Sequence, residues 1–324
     1  MVYDEEGNLR LELPGRGGSQ SSSKLPVSSE DLTIIIDRKE PEEPAQTGTP
    51  GMPELPIDPL DPEVSGSVLL GETPLTDWAA LREQLPGDVG GVCLTVKDED
   101  GIVYVDSPSA TKLSRRILSL KKTTEAAVAD MTEEPDLVTI ARITCLLDPK
   151  TPILDVRALG VRQKSGYLFY DETGASWLDP TKETVRNYLA GLVRECGKMG
   201  FDEILLTHVS YPTGGEVDQI NYGSQPKEEN LAEFLRAVRS ALNGLDVRLA
   251  LELPTEVIRQ GKNEISGQDL RILAPLVDCV YAQTTAAEAE ELADLVHTAA
   301  PGTAFVAMVR SADGITVDYL LVEE

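Results

Sequence analysis

Short apolar runs of strand length alternate with amphipathic helical stretches from residue 66 onward, and this alternation restricts the chain to few architectures. Alternating strands and helices are typical of a parallel sheet, because each helix returns the chain to the same edge of the sheet. The eight apolar runs lie at residues 67–70, 91–96, 137–147, 204–209, 247–253, 277–282, 303–309 and 317–322. Eight repeats of this size predict a (β/α)8 barrel. An open doubly wound sheet is the alternative, but the sequence has neither a GxGxxG motif nor a P-loop to favour it.

One repeat of this pattern is especially clear. Apolar side chains recur at three- and four-residue spacing over residues 185–199, which predicts a helix with one buried face. Asp179 and Pro180 suit the start of this helix, and Gly200 suits its end. The run 204–209 shows no polar alternation, as expected of a strand that is covered on both faces. A polar cluster follows that strand at the position where barrel enzymes carry their active sites.

The composition excludes several classes of partner. The 324 residues include 55 acidic and 29 basic side chains, and a net charge of −26 repels phosphate backbones and anionic lipids. Nucleic acid is therefore not expected as a partner. The four cysteines, at positions 93, 145, 196 and 279, form neither a CxxC pair nor a cluster with histidine. We predict buried free thiols, no metal site and no cofactor.

The first 64 residues differ from the rest of the chain. Nine of the 21 prolines fall within residues 14–64, between serine, glycine and acidic residues, with one apolar island at residues 34–36. This composition predicts a disordered or extended linker over residues 1–64, followed by a barrel domain over residues 65–324. No membrane span or signal peptide is found in the sequence. A tether of this kind typically follows an anchor or a signal, so we expect one upstream and a location outside the cell or at a bacterial cell surface.

Four short motifs together resemble a known family. They read Val-Lys-Asp-Glu-Asp-Gly at 96–101, Ile-Ala-Arg-Ile at 140–143, Trp-Leu-Asp-Pro at 177–180 and Gly-Phe-Asp-Glu-Ile at 200–204. In this order and spacing they resemble the glycoside hydrolase-like domain of the DUF4015 type, from about residue 66 to the end of the chain. The resemblance implies a glycosidase-like (β/α)8 barrel whose partner is a polysaccharide or oligosaccharide.

The chain departs from the family pattern at the end of the fourth strand. Family members there read Asp-Tyr-(Ile/Val)-Arg-Phe-Pro, whereas this chain has Thr207 in place of the aspartate and Ser210 in place of the arginine. Glycoside hydrolysis normally needs two carboxylates that face one bond, and threonine replaces neither well at neutral pH. Two hypotheses remain open: a polysaccharide-acting hydrolase with a relocated carboxylate pair, and an inactive barrel that binds glycan or a protein partner at the cell envelope. The threonine slightly favours the second.

Three carboxylates at predicted strand ends are candidates for catalysis. Glu252 lies among apolar residues, where a carboxylate is costly unless it is paired or functional. Asp98 or Asp148 would act with it across the mouth of the barrel. The structural alternative is that Glu252 forms an ion pair with Arg142 or Lys97.

Other side chains are predicted to contact the substrate, because each lies near the carboxyl end of a predicted strand or in the aromatic loop before the helix at 185–199. They are Lys97, Arg142, Trp177, Thr207, His208, Tyr211, Tyr281 and Arg310. Structural roles are the alternatives for several of them. Arg142 would order the barrel mouth, His208 would be a satisfied histidine there, and Trp177 would pack its loop against the barrel.

Overall fold

The computed structural model describes residues 2–3, 9–10, 65–71, 74–87 and 89–322. The chain divides into two units, Met1–Asp58 and Pro59–Glu324. In the first unit Val2–Tyr3 pairs antiparallel with Leu9–Arg10. Residues 14–64, with the apolar island at 34–36, lie outside the described part, so the linker stays a prediction.

The second unit contains a closed barrel of eight parallel strands, as the sequence predicts. Each strand pairs with the next one along the chain, and the eighth strand pairs with the first to close the barrel. The closure and the strand order confirm the (β/α)8 barrel and exclude the open doubly wound sheet. The strands are β1 Gly66–Leu69, β2 Gly91–Lys97, β3 Val138–Thr144, β4 Glu203–Thr207, β5 Arg248–Glu252, β6 Cys279–Gln283, β7 Ala304–Val309 and β8 Tyr319–Leu321.

Helices connect the strands on the outside of the barrel. Those in the described part are α1 Trp78–Arg82, α2 Pro108–Leu113, α3 Glu125–Thr132, α4 Val156–Leu159, α5 Glu183–Lys198, α6 Lys227–Ala241, α7 Thr255–Gln260, α8 Leu270–Leu273 and α9 Ala286–Ala299. Single 3-10 turns cover Arg115–Ile117, Pro152–Leu154, Val217–Gln219 and Ala274–Leu276, and a small antiparallel ribbon joins Lys262–Asn263 to Gln268–Asp269. Within the described ranges, every helix is too short or too polar to cross a membrane.

The start of α5 differs from the prediction. The helix begins at Glu183, not at Pro180, and Lys182 is its N-cap residue. The Asp179 carboxylate instead accepts hydrogen bonds from the backbone N–H and the hydroxyl of Thr181, at 2.9 and 2.6 Å. Asp179 thus forms a local turn of the kind that competes with helix capping. The predicted apolar face is buried as expected, and Gly200 follows the helix with φ 98°.

Apolar side chains fill the interior of the barrel. Because side chains alternate along each strand, one residue in two points inward. An interior cluster takes members from seven of the eight strands: Cys93, Ile140, Leu205, Ala250, Cys279, Tyr281, Val306, Met308 and Leu320. A second, larger cluster lies between the strands and the helices. The four cysteines are buried free thiols, as predicted.

Candidate active site

A cavity of about 990 Å³ opens at the carboxyl ends of five consecutive strands. Each strand contributes a residue at or just beyond its end: Glu99 after β2, Leu147 after β3, His208 after β4, Glu252 in β5 and Gln283 in β6. Active sites of (β/α)8 enzymes lie at this end of the barrel, built from strand ends and the loops that follow them. The cavity is therefore the candidate site.

Glu252 is the most deeply placed carboxyl group of the cavity wall. It ends β5 and is flanked by the buried residues Leu251 and Leu253. Its Oε2 atom is buried and accepts no hydrogen bond from the residues that the structure describes. Burial raises the pKa of this carboxyl, the positive charge of Arg142 opposes the rise, and the negative charge of Glu99 adds to it. A carboxyl with a raised pKa keeps its proton to higher pH, as a general acid requires.

Arg142 links the second strand to the third at the same end of the barrel. Its guanidinium NH2 lies 3.3 Å from Oε1 of Glu99, whose side chain is about half exposed. Its Nε is buried and donates no hydrogen bond within the described part of the chain. No ion pair joins Glu252 to Arg142 or Lys97, the two partners that its structural alternative required. The ion pairs of these two cations are with Glu99 and Asp148.

His208 leaves β4 in an unusual backbone conformation. Its φ of 51° lies in the left-handed region, which is uncommon for residues other than glycine and is often found at functional sites. The imidazole is tilted by 59° against the Trp177 ring, with 6.4 Å between the ring centroids, and Nδ1 is 3.3 Å from Oγ1 of Thr207. Burial lowers the pKa of His208; Arg142 and Lys97 lower it further, while Glu99 opposes them. At neutral pH the ring is therefore uncharged.

Two aromatic residues complete the wall. Trp177 is buried and lines the cavity, and its Nε1 donates to Oδ2 of Asp171 at 2.9 Å. Tyr211 is also buried and lines the cavity, and its hydroxyl accepts from Nδ2 of Asn230 at 3.0 Å. Both side chains are thus fixed by hydrogen bonds at the cavity wall.

Two of the three predicted catalytic carboxylates form hydrogen bonds and an ion pair outside the cavity. Asp98 accepts from the backbone N–H of Ile102 and from the hydroxyl of Tyr104, both at 2.7 Å. Asp148 accepts from the backbone N–H of Thr151 and forms an ion pair with Lys97. These carboxylates and Lys97 are buried and are not among the lining residues of the cavity. The structure therefore does not bring them together with Glu252 around the cavity.

The remaining predicted residues are spread over the barrel. Thr207 is fully buried at the end of β4, with Oγ1 3.2 Å from Oγ1 of Thr144. Tyr281 points into the barrel, and its hydroxyl donates to Glu203 at 2.5 Å, at the start of β4 and away from the mouth. Arg310 lines a neighbouring cavity of about 480 Å³, which shares Gln283 with the candidate site. Of the eleven candidates, Trp177, His208, Tyr211 and Glu252 line the cavity.

Sequence reasoning missed several residues of the site. Glu99 lies in the turn after β2, next to the candidate Asp98, and its position opposite Arg142 depends on packing between strands. Asp171 precedes Trp177 by six residues, and no periodic signal marks it. Among the described residues, no group of three or more His, Cys, Asp or Glu side chains could hold a metal ion.

Comparisons with known proteins agree with the fold. The DUF4015 family, described as "Putative glycosyl hydrolase domain", matches residues 82–283. The chain is similar to the glycoside hydrolase domain of PgaB (BpsB) from Bordetella bronchiseptica, with 12% identity over 80% of this chain and 93% of that chain and a TM-score of 0.50. At that identity the likeness shows a shared fold. A search of the curated proteins found no match.

Two further solved structures are similar over most of their own length. A hypothetical protein from Ruminiclostridium thermocellum is 23% identical, with coverage of 53% of this chain and 87% of that chain and a TM-score of 0.45. The glycoside hydrolase domain of PelA from Pseudomonas aeruginosa is 15% identical, with coverage of 76% and 83% and a TM-score of 0.42.

Proposed function

This chain belongs to the DUF4015 family of glycosyl hydrolase domains, and from that premise we propose that it hydrolyses a polysaccharide at the mouth of its barrel. One observation carries the proposal: Glu252 lines the cavity with a buried carboxyl whose pKa is raised by burial. A carboxylic acid in such surroundings is the group that donates a proton to a leaving glycosidic oxygen.

Hydrolysis needs a second carboxylate, and Glu99 is the best placed. It lines the same cavity, and its negative charge contributes to the raised pKa of Glu252, so the two groups interact. Arg142 holds Glu99 by an ion pair. In the proposed reaction Glu252 gives its proton to the leaving oxygen as the bond from that oxygen to the sugar carbon breaks. Glu99 attacks that carbon or takes a proton from the water that does, and the reaction as a whole adds one water.

Sugar rings would contact the fixed aromatic side chains. Trp177 and Tyr211 line the cavity and are held in place by Asp171 and Asn230. The neutral imidazole of His208 lies against Trp177 and offers a hydrogen bond to a sugar hydroxyl. Rigid groups of this kind orient a substrate with little loss of conformational entropy on binding.

The second candidate function is a barrel that binds glycan at the cell envelope without turnover. Thr207 favours it, because the resemblance to the family places an aspartate at this strand end. The fully buried Thr207 side chain bonds with Thr144 and offers no carboxylate to the cavity.

Hydrolysis of a panel of cell-wall and plant polysaccharides by the full chain tests the proposal. The assay compares the wild type with Glu252→Gln and Glu203→Gln. Newly formed reducing ends measure turnover, and thermal melting followed by circular dichroism shows that each variant is folded. Glu203 is the matched control, because burial raises its pKa as well, but it lies at the opposite end of the barrel beside Tyr281 and Arg248. We expect turnover in the wild type and the control, and a loss of about 10²–10⁴-fold in Glu252→Gln. Glycan binding without turnover in any folded variant would support the second function instead.

A further inference from the structure

One surface segment reverses the charge of this acidic chain. Residues 107–124 carry five basic side chains and no acidic one, although the whole chain has 55 acidic and 29 basic residues. The five lie within eleven consecutive positions, from the last turn of α2 to the loop before α3. They are Lys112, Arg115, Arg116, Lys121 and Lys122. We call residues 112–122 the basic segment.

The protein leaves most of these cations unpaired. Within the described ranges, only Lys122 of the segment forms an ion pair, with Asp106. The side chains of the other four are exposed and make neither an ion pair nor a hydrogen bond with any residue that the structure describes. Other exposed cations are paired, as Arg236 is with Glu229 at 2.8 Å, or lie singly, as Arg157 does. The basic segment thus concentrates free positive charge in a chain where acids are abundant.

The most exposed large apolar side chain of the described residues lies within the same segment. Leu120 has an exposed fraction of 105%, whereas the next one, Tyr167, has 76%. Single apolar residues on a surface are common and need no function. An apolar tip directly beside Lys121 and three further free cations is different, because such a combination suits the boundary between lipid headgroups and acyl chains.

The backbone on both sides of Leu120 is fastened to the barrel domain. The N–H of Ser119 donates to the carbonyl oxygen of Val103, and the N–H of Thr123 donates to that of Tyr104, both at 2.8 Å. Thr123 itself is buried. The exposure of Leu120 is therefore a property of a fixed loop, and a fixed loop loses little conformational entropy when it binds.

We propose that the basic segment binds the surface of an anionic lipid bilayer, with Leu120 inserted among the headgroups and the free cations on the lipid phosphates. Each lysine or arginine near such a surface raises the affinity up to about fivefold. A soluble polyanion would also bind the cations but would gain nothing from Leu120, so the apolar tip favours the bilayer. This contact is peripheral and goes beyond the proposed function, because it does not depend on turnover at the cavity.

The net charge of −26 opposes the approach of the whole chain to an anionic surface. Salt limits this repulsion to short distances, because the Debye length is about 8 Å at physiological ionic strength. Asp106 and Glu125 border the basic segment, and Asp106 is already paired with Lys122. The segment therefore presents positive charge to a surface that it touches, even though the chain as a whole is acidic.

Sedimentation of the full chain with vesicles tests the proposal. The vesicles consist of equal parts of phosphatidylglycerol and phosphatidylcholine, or of phosphatidylcholine alone, in about 0.1 M salt. The segment variant removes three free cations by Arg115→Gln, Arg116→Gln and Lys121→Gln. The matched control removes three exposed cations that are likewise unpaired within the described part, by Arg157→Gln, Lys198→Gln and Arg271→Gln. A further variant carries Leu120→Ser alone.

The wild type should bind the anionic vesicles about 100-fold more tightly than the neutral ones, and about 1 M salt should abolish this difference. The segment variant should lose at least about 30-fold in affinity, the control less than about threefold, and Leu120→Ser about three- to tenfold. No binding to either vesicle, equally tight binding to both, or an equal loss in the control would overturn the proposal.

Two further measurements separate a bilayer from a soluble polyanion. Leu120→Trp places a fluorophore at the tip, whereas the native Trp78 and Trp177 are buried. Anionic vesicles with brominated acyl chains should quench the emission of this variant and leave that of the wild type unchanged. Long-chain polyphosphate should bind the wild type and Leu120→Ser equally, and more weakly than the vesicles bind the wild type. Unquenched emission on bound vesicles, or polyphosphate that binds the wild type as tightly as the vesicles do, would rule out the bilayer as the partner.

Discussion

Lys97 and Asp148 form an ion pair in which neither side chain is exposed, with 3.1 Å between Nζ and Oδ2. The ammonium also donates to the carbonyl oxygen of Thr144 at 2.8 Å. On the other side, Oδ1 of Asp148 accepts from the backbone N–H groups of Lys150 and Thr151. The pair therefore fastens the end of β2 to the loop after β3, beside the candidate site.

The first prediction concerns this pair. Lys97→Met should lower the free energy of unfolding by about 3–5 kcal/mol, because it leaves a buried carboxylate without its counter-charge. Adding Asp148→Asn to that variant should recover part of the loss, since the amide carries no charge. Urea unfolding of the two single variants and the double variant measures the coupling. Additive losses in the three proteins would show that the two charges do not interact.

The second prediction concerns the turn that covers Asp148. Gly101 has φ 77°, and a Cβ atom there would collide with the Asp148 carboxylate. Gly174 has φ 82° and nothing within 4 Å of its own Cβ position. Both Gly→Ala changes carry the cost of a left-handed residue, about 1–2 kcal/mol. In urea unfolding, Gly101→Ala should therefore lower the free energy of unfolding clearly more than Gly174→Ala does. Equal losses in the two variants would mean that the turn relaxes away from Asp148.

The third prediction concerns the pH dependence of stability through Glu252. Its pKa is raised above the ordinary value of 4.5, so the folded protein retains a proton that the unfolded chain releases as pH rises. The stability that this group contributes is fully present below pH 4.5 and is lost as pH rises through the folded-state pKa. Glutamine at this position does not titrate. The Tm of Glu252→Gln relative to wild type should therefore rise with pH above 4.5.

Gln283→Ala is the control for that experiment, because this exposed amide of the same cavity wall does not titrate. Its Tm difference from wild type should stay constant over the same pH range. A constant difference for Glu252→Gln as well would show that the carboxyl at position 252 is not perturbed by burial.

The barrel and part of the candidate site could be predicted from the sequence. All eight apolar runs are strands, because a strand covered on both faces needs a continuous apolar run and little else in the sequence produces one. The end of β4 and the end of β5 were also predictable, and His208 and Glu252 line the cavity there. For these residues, position along a strand decides position in the fold.

The other residues of the site could not be predicted, because their positions depend on contacts that leave no periodic signal in the sequence. Asp98 and Asp148 follow strands as catalytic carboxylates do, yet backbone N–H groups of their own loops bind them. Tyr281 points into the barrel, but its side chain is long enough for the hydroxyl to contact Glu203 at the start of β4, away from the mouth. Glu99 is placed by Arg142 from the neighbouring strand. Which carboxylate faces the cavity is decided by loop hydrogen bonds and not by spacing.

The last prediction concerns Thr207, where the resemblance to the family places an aspartate. Its Oγ1 lies 3.2 Å from Oγ1 of Thr144 and 3.3 Å from Nδ1 of His208, which lines the cavity, so an aspartate at this position would lie next to the cavity wall. Thr207→Asp should raise turnover of any glycan that the wild type hydrolyses by about tenfold or more, because it supplies a further carboxylate to the reaction. It should also lower the free energy of unfolding by about 3–5 kcal/mol, since the new carboxylate is buried without a counter-charge.

The same change at its bonded neighbour, Thr144→Asp, is the matched control for Thr207→Asp. That residue is equally buried but ends β3, one position beyond the family motif at 140–143. We expect it to lose stability without gain of turnover. If Thr207→Asp folds and gives no gain while the wild type hydrolyses glycan through Glu252, then Glu99 is a sufficient second carboxylate and the threonine is no defect. If neither protein hydrolyses any glycan, the missing aspartate is not what separates this barrel from an active one.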